Sequence, residues 1–222
     1  MRTGQHPWPV LSFAAAFNLW HIQSMKLDAP GLVVANVRLD RVNEAHRDIL
    51  ATSGAIEAMW SWMPLMDTGT SFNAYFDQTL QEAREGRMVP FAITRLSDGA
   101  FGGVVTYMNI VRLHRRLRIG YRWHPEAMRG GLVSAATSLA LMQRAKECRF
   151  QRIEFLVNVA NKEATAAVER FGAAREGVLR HYMRTANGLW ADVAAFSLIG
   201  PEIDRTIESL RQHVDALAAA EA

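Results

Sequence analysis

The stretch from Leu117 to Ala173 constrains the fold more than any other part of the chain. Leu117-Arg118-Ile119-Gly120-Tyr121-Arg122-Trp123 alternates apolar and polar residues, the period of a half-buried strand. Pro125 cannot donate to a sheet ladder and biases His124 away from helix, so the strand should stop there. From Leu132 to Cys148 the chain is rich in Ala and Leu and free of Pro and Gly, which predicts a helix. A strand that runs through a glycine-containing turn into a helix aims backbone N–H groups and the positive end of a helix dipole at one spot, and that spot suits an anion. Gly130 and Gly131 carry no Cβ to keep a phosphate away from those amides. The Lys-Ser/Thr ending of a nucleotide P-loop is missing and there is no Gly-x-Gly-x-x-Gly spacing, so the two commonest nucleotide motifs are excluded. Downstream, Arg152 to Val159 reads as a second strand, and Asn161 to Ala173 as a short helix closed by Gly172.

The elements around this core follow from the same periodicities. Leu32 to Leu39 reads as a first strand, Asn43 as the cap of a helix from Glu44 to about Ala51, and a second short helix starts at Ile56 and ends before Pro64. Ser71 is placed to cap a helix from Phe72 to Glu85 that stops at Gly86. Met88–Leu96 and Phe101–Val111 flank Ser97-Asp98-Gly99-Ala100, a hairpin signal. With the Leu117 strand they form an antiparallel meander, and the crossover through the Leu132 helix favours parallel pairing with the Arg152 strand. Strands at about Ala174–Arg184 and Trp190–Leu198 close the sheet. A final amphipathic helix from Pro201 to Ala220 carries Ile203, Ile207, Leu210 and Val214 on one face. The fold class is mixed α/β in one domain, with a largely antiparallel sheet flanked by helices.

Charge and cysteine content narrow the function. The net charge is +3 and the basic residues are spread along the chain, without the basic stripe and stacking aromatics of a nucleic-acid binder, so no nucleic-acid partner is expected. The lone Cys148 excludes an internal disulfide and suits a reducing, cytoplasmic setting. No cluster of His, Cys and Asp has ligand spacing, so no metal is expected. The apolar run Val10–Phe17 is broken by Asn18 and falls far short of the ~20 residues that span a bilayer. Residues 1–24 therefore read as an extension to a domain of residues 25–222, with no membrane span.

Ordered echoes from residue 31 to about 203 make the chain resemble the GNAT acyltransferases, in the branch of the ribosomal-protein N-terminal acetyltransferases. The family's phosphate loop, Arg/Gln-x-x-Gly-x-Gly/Ala, is similar to Met128-Arg129-Gly130-Gly131-Leu132-Val133, where only Gly131 matches, Met128 and Val133 replace the usual residues, and Arg129 stands one position from the family's basic residue. The Asn-x-x-Ser-x-x-Ala motif with its Phe-Gly pair matches at Asn161, Ala167 and Phe171-Gly172, while Ala164 takes the serine position. Further echoes are Trp60 to Pro64, Pro90 to Ile93, Ile119-Gly120-Tyr121, and Glu176 to Arg180 leading to Gly188 and Asp192.

The resemblance implies acetyl-CoA as acyl donor and an amine acceptor, either a small molecule or a peptide, and it leaves a homodimer open. It implies that Arg122, Trp123 and His124 at the splayed strand end meet the pantetheine and thioester. Arg129, Gly130, Gly131, Leu132, Val133 and Ser134 would form the phosphate loop, with Asn161 beside the pantetheine arm. It places the parallel strand pair at this cofactor cleft and makes the helices around Trp60, Trp62, Met63 and Met66 a wall of the acceptor site. Transfer from a thioester to an amine needs a neutral amine and a polarised carbonyl but no enzyme nucleophile, which fits the absence of a Ser-His-Asp or Cys-His set. No catalytic residue is assigned. Thr165 or an ordered water would replace the missing serine as acid, or the step needs no acid, and His114, His124, His181, Glu126 and Glu176 are all conceivable bases. The alternative is a non-catalytic CoA-binding or scaffold protein on the same fold.

Overall fold

The computed structural model describes residues 26–28, 31–60, 62–64 and 71–221. The expected extension at residues 1–24 and the wall residue Met66 lie outside them. Where one strand was expected from Leu32 to Leu39 there is a hairpin, β1 (Leu32–Val34) and β2 (Val37–Arg41), joined by Ala35-Asn36. Ala35 takes a φ of 48°, the left-handed turn conformation that a two-residue hairpin loop requires. Alanine gives little sequence signal for that conformation, so the run of apolar residues reads as continuous.

Asn43 does cap the next element. Its Oδ1 accepts from the Ala45 N–H at 3.0 Å, and its own N–H donates to His46 Nδ1 at 3.2 Å, so His46 completes a reciprocal cap. The first turn, Glu44–His46, is 3-10 before α1 (Arg47–Thr52) begins. After α2 (Ala55–Trp60) comes α3 (Phe72–Arg84), capped by Ser71 Oγ accepting from Ala74 N–H at 3.3 Å. The remaining elements are β3 (Met88–Arg95), β4 (Phe101–Val111), β5 (Arg116–Trp123), α4 (Leu132–Glu147), β6 (Arg152–Asn158), α5 (Lys162–Arg170), β7 (Ala174–Arg184), β8 (Trp190–Ile199) and α6 (Pro201–Glu221). No helix among the described residues is long and apolar enough to cross a membrane.

The eight strands form one sheet in the order β1-β2-β3-β4-β5-β6-β8-β7, antiparallel throughout except between β5 and β6. Helices cover both faces. The larger core packs α4, α5 and α6 against residues such as Phe91, Tyr107, Leu117, Ile119, Ile153 and Phe196. The smaller one packs α1, α2 and α3 against Ala92 and Val104, with Tyr121 and Trp123 at its margin.

Two departures from regularity in β5 shape the open end of the sheet. First, β5 and β6 pair only from Arg116–Arg118 against Arg152–Glu154, and beyond that the two strands separate. The sheet therefore opens into a V at the carboxyl ends of its parallel pair, the place where ligands enter open sheets. Second, the β4–β5 register shifts between Val104 and Thr106, where Tyr121 adopts a φ of 47°. This bulge reverses the side-chain alternation: Leu117 and Ile119 face the larger core, whereas Tyr121 and Trp123 face the smaller one. Arg122 is thereby turned toward α4 and α5 instead of sharing the face of Arg118.

Candidate active site

The V between β5 and β6 is roofed by the start of α4 and the start of α5. Gly131 is the N-cap of α4 and supplies no side-chain bond, and the first helical bond runs from Ala135 N–H to Gly131 O at 3.1 Å. The preceding amides of the first turn therefore point outward as a group of donors. Gly130 sits at a φ of 70°, which suits glycine, and a Cβ at either Gly130 or Gly131 would meet nothing within 4 Å. Leu132 and Val133 bury their side chains in the core, so they offer only backbone to this spot. Arg129 folds back to donate from Nε to His124 O at 3.1 Å, fastening the loop to the end of β5.

Arg122 ties these parts together. Its Nε donates to His124 Nε2 at 3.1 Å, and its Nη2 donates to Ser134 O at 2.9 Å and to Ser134 Oγ at 2.7 Å. The guanidinium also lies 5.8 Å from the Phe171 ring centre. Burial, and then the charge of Arg170, lowers its pKa from the ordinary 12.5 to about 10, so it stays charged at neutral pH. His124 is 5% exposed and donates from Nδ1 to Gly102 O at 2.7 Å while Nε2 accepts from Arg122. Burial, then Arg122, pulls its pKa from 6.5 to about 3.

His124 is thus a neutral structural hinge, with both ring nitrogens occupied. The unfolded chain takes up a proton on this ring near pH 6.5 and the folded chain only near pH 3, so its stability contribution is complete above 6.5 and is lost as pH falls toward 3. We expect the acid limb of a denaturation profile to steepen in that window by up to about 1.4 kcal/mol per pH unit. His124→Asn, which keeps a donor for Gly102 O, should remove that slope even though it is less stable at every pH. An unchanged slope would mean that other groups carry it.

Three of the other conceivable bases are also placed elsewhere or engaged. His114 lies in the turn before β5, roughly 25 Å along that eight-residue strand from its Trp123 end at the mouth of the V. Glu176 is bound by Arg152 Nη1 at 2.7 Å and Ser197 Oγ at 2.7 Å, and these partners, Arg152 foremost, hold its pKa near 2. His181 stacks on Trp190 with ring centres 5.7 Å apart, out on the β7–β8 hairpin, and Glu126 is exposed in the loop.

Across the V, Asn161 caps α5: its Oδ1 accepts from Ala164 N–H at 3.0 Å, leaving Nδ2 as the uncommitted donor. Thr165 Oγ donates to Asn161 O at 3.0 Å, and Ala164 packs against the core. On the opposite face Met63 is buried, Trp62 is 40% exposed, and Met63 O accepts from Ala186 N–H at 3.1 Å at the tip of the β7–β8 hairpin. Sequence reasoning missed a cavity of about 350 Å³ that adjoins Gly130 and Ser134 and is lined also by Arg170, Ser209 and His213. The spacing of Thr206, Leu210 and His213 on one side of α6 was the available signal, overshadowed by the apolar face beside it.

Comparison with known proteins agrees with this architecture. Residues 36–174 match the family described as acetyltransferase (GNAT) domain. The uncharacterized N-acetyltransferase YoaA of Bacillus subtilis is 29% identical over 118 residues, which is 53% of this chain and 66% of YoaA, just under two thirds of that relative. A GCN5-related N-acetyltransferase from Brucella melitensis superposes with a TM-score of 0.69 at 23% identity, covering 86% of each chain. Mycobacterium smegmatis RimJ in complex with CoA-disulfide superposes with a TM-score of 0.64 at 24% identity, covering 81% of this chain and 92% of RimJ. With the splayed β5–β6 pair and the uncapped helix in place, the matched span covers most of the chain, and the chain belongs to the GNAT acetyltransferase domain family.

Proposed function

We propose that the chain transfers an acetyl group from acetyl-CoA to a primary amine, on a peptide N-terminus or a small molecule, by direct attack in a ternary complex. The observation that supports this most is the uncapped start of α4 at the mouth of the V, where the outward amides and open space at Gly131 fit a pyrophosphate. RimJ, which shares the fold, holds a CoA disulfide. In the reaction the amine nitrogen bonds to the thioester carbonyl carbon, the C–S bond breaks, and the thiolate leaves with the electron pair. The residues of this chain bind and orient: α4 amides and Arg129 at the phosphates, the backbone at the end of β5 from Arg122 to His124 along the arm, and Asn161 across from it. With His124 sealed and Glu176 paired, the amine's proton passes to solvent. We assign the activity to a domain of residues 25–222 with residues 1–24 as an extension, in the cytoplasm, in keeping with the single cysteine.

A second reading has one observation behind it. Ala164 has no acidic side-chain proton to give and the Thr165 hydroxyl is turned to Asn161 O, so a CoA-binding scaffold without turnover would also fit. Titration with acetyl-CoA followed by thiol release against a panel of amines separates the two. Binding with release supports the transferase, and binding without release on every amine supports the scaffold.

Asn161→Ser tests the far wall. Serine caps nearly as well, so stability should stay near that of the parent. It cannot present the amide Nδ2, and we expect the acetyl-CoA dissociation constant to rise about tenfold, the equivalent of one lost hydrogen bond of roughly 1.4 kcal/mol. Equal affinity would leave Asn161 as a cap alone.

A further inference from the structure

The cavity of about 350 Å³ lies between α4, the end of α5 and α6, at the low end of ligand-pocket sizes. Arg122, Arg170 and His213 are among its lining residues, and no carboxylate is. Arg122 and Ser134 form its deeper part, while Arg170, Ser209 and His213 are exposed at its mouth. A desolvated guanidinium without a counter-charge is costly, and a second arginine that raises the same potential adds to the cost. The lowered pKa of Arg122, with Arg170 among its causes, expresses that cost. An anion seated between the two would relieve it. Hydroxyls of Ser134, Ser138 and Ser209 supply further polar contacts around the same space.

We propose that this cavity holds a phosphate monoester, the ribose 3′-phosphate of the acyl donor, with Arg170, Ser209 and His213 around it and Arg122 beneath. The inference rests on the acetyl-CoA reading above. A dianion with three acceptor oxygens matches several donors of like charge better than a carboxylate does. The cavity also continues from Gly130 and Ser134, where the pyrophosphate is expected, and coenzyme A carries one phosphate beyond that pair. Its outer wall is α6, which lies past residue 174, where the family match ends.

Calorimetric titration of the full chain with CoA and with dephospho-CoA decides the matter. The parent should bind dephospho-CoA at least tenfold more weakly than CoA. Arg170→Ala and His213→Ala, both at exposed positions, should each weaken CoA several-fold, and the double variant should bring CoA to the level of dephospho-CoA. Affinity for dephospho-CoA should not move. Equal binding of the two coenzymes by the parent, or losses in the variants that are the same for both, overturns the inference and leaves the acetyl-CoA reading standing. A parent that binds neither coenzyme overturns that reading, and the 3′-phosphate assignment with it. Inorganic phosphate that binds undisturbed by saturating CoA would mark a site for the free ion and overturn the assignment as well.

Discussion

Gly103→Ala is expected to destabilise the chain by about 4 kcal/mol or more, lowering the thermal midpoint by roughly 8–16 °C. Gly103 has a φ of 118°, outside the range of an L side chain, and a Cβ built there would stand 2.0 Å from Trp123 O and 3.0 Å from His124 Cα. Both obstacles are backbone, so neither can rotate away. To admit a methyl group, β4 and the end of β5 must part. That movement strains the 2.7 Å bond from His124 Nδ1 to Gly102 O and, through His124, the grip of Arg122 on α4. Gly102→Ala is the control. Its Cβ would meet Ile93 Cγ2 at 2.9 Å and Val133 Cγ1 at 3.0 Å, methyls of buried β-branched side chains that must give by a few tenths of an ångström, a smaller displacement than a backbone clash demands. Scanning calorimetry should rank the parent above Gly102→Ala and that above Gly103→Ala. A Gly103→Ala midpoint within about 3 °C of the parent would show that the close approach of β4 to Trp123 is not needed to hold the V.

That approach could not be read from the sequence, and the reason is general. Local periodicity encodes which residues are apolar and at what spacing, so it predicts elements whose burial is regular. The β3–β4 hairpin is one, with Asp98 Oδ1 accepting from Ala100 N–H at 3.0 Å in the turn. The β5–α4–β6 crossover and α6 are others. The bulge at Tyr121 is set instead by how β4 and β5 register, a relation between segments. Strict alternation puts Arg122 on the face of Arg118; the bulge puts it on the face of α4, which is where its bonds to Ser134 form. The Ala35 turn fails for a related cause, because the hairpin is enforced by pairing of Val34 with Val37 and not by a turn residue.

The site divides along the same line. The glycine turn before α4 is legible because it is a short motif with its own local chemistry. The role of His124 is not, since a histidine becomes a base or a buried linker according to what surrounds it, and here Gly102 and Arg122 come from different elements. The α6 wall of the cavity is further still: His213 meets the Arg122 neighbourhood only because α6 packs along α4.

Gly131→Glu is expected to abolish acetyl-CoA binding while leaving the fold intact. Gly131 has φ −92° and ψ −166°, ordinary extended backbone, and a Cβ there meets nothing within 4 Å, so the substitution brings neither strain nor a clash. Gly130, at φ 70°, would confound the experiment with backbone strain. A carboxylate at the start of α4 interacts favourably with the helix dipole, by about 0.3–1 kcal/mol, so the thermal midpoint should hold or rise slightly. The same carboxylate competes for the outward amides and opposes a phosphate. Like charges in such proximity cost several kcal/mol, which means a loss of at least about a hundredfold in affinity. Gly131→Gln separates the contributions: bulk alone should weaken binding less than bulk with charge, and raised salt should narrow the difference between the two. Unchanged acetyl-CoA affinity in a folded Gly131→Glu chain would remove the start of α4 from the donor site. Because nothing else about the helix changes, such a result could not be attributed to misfolding.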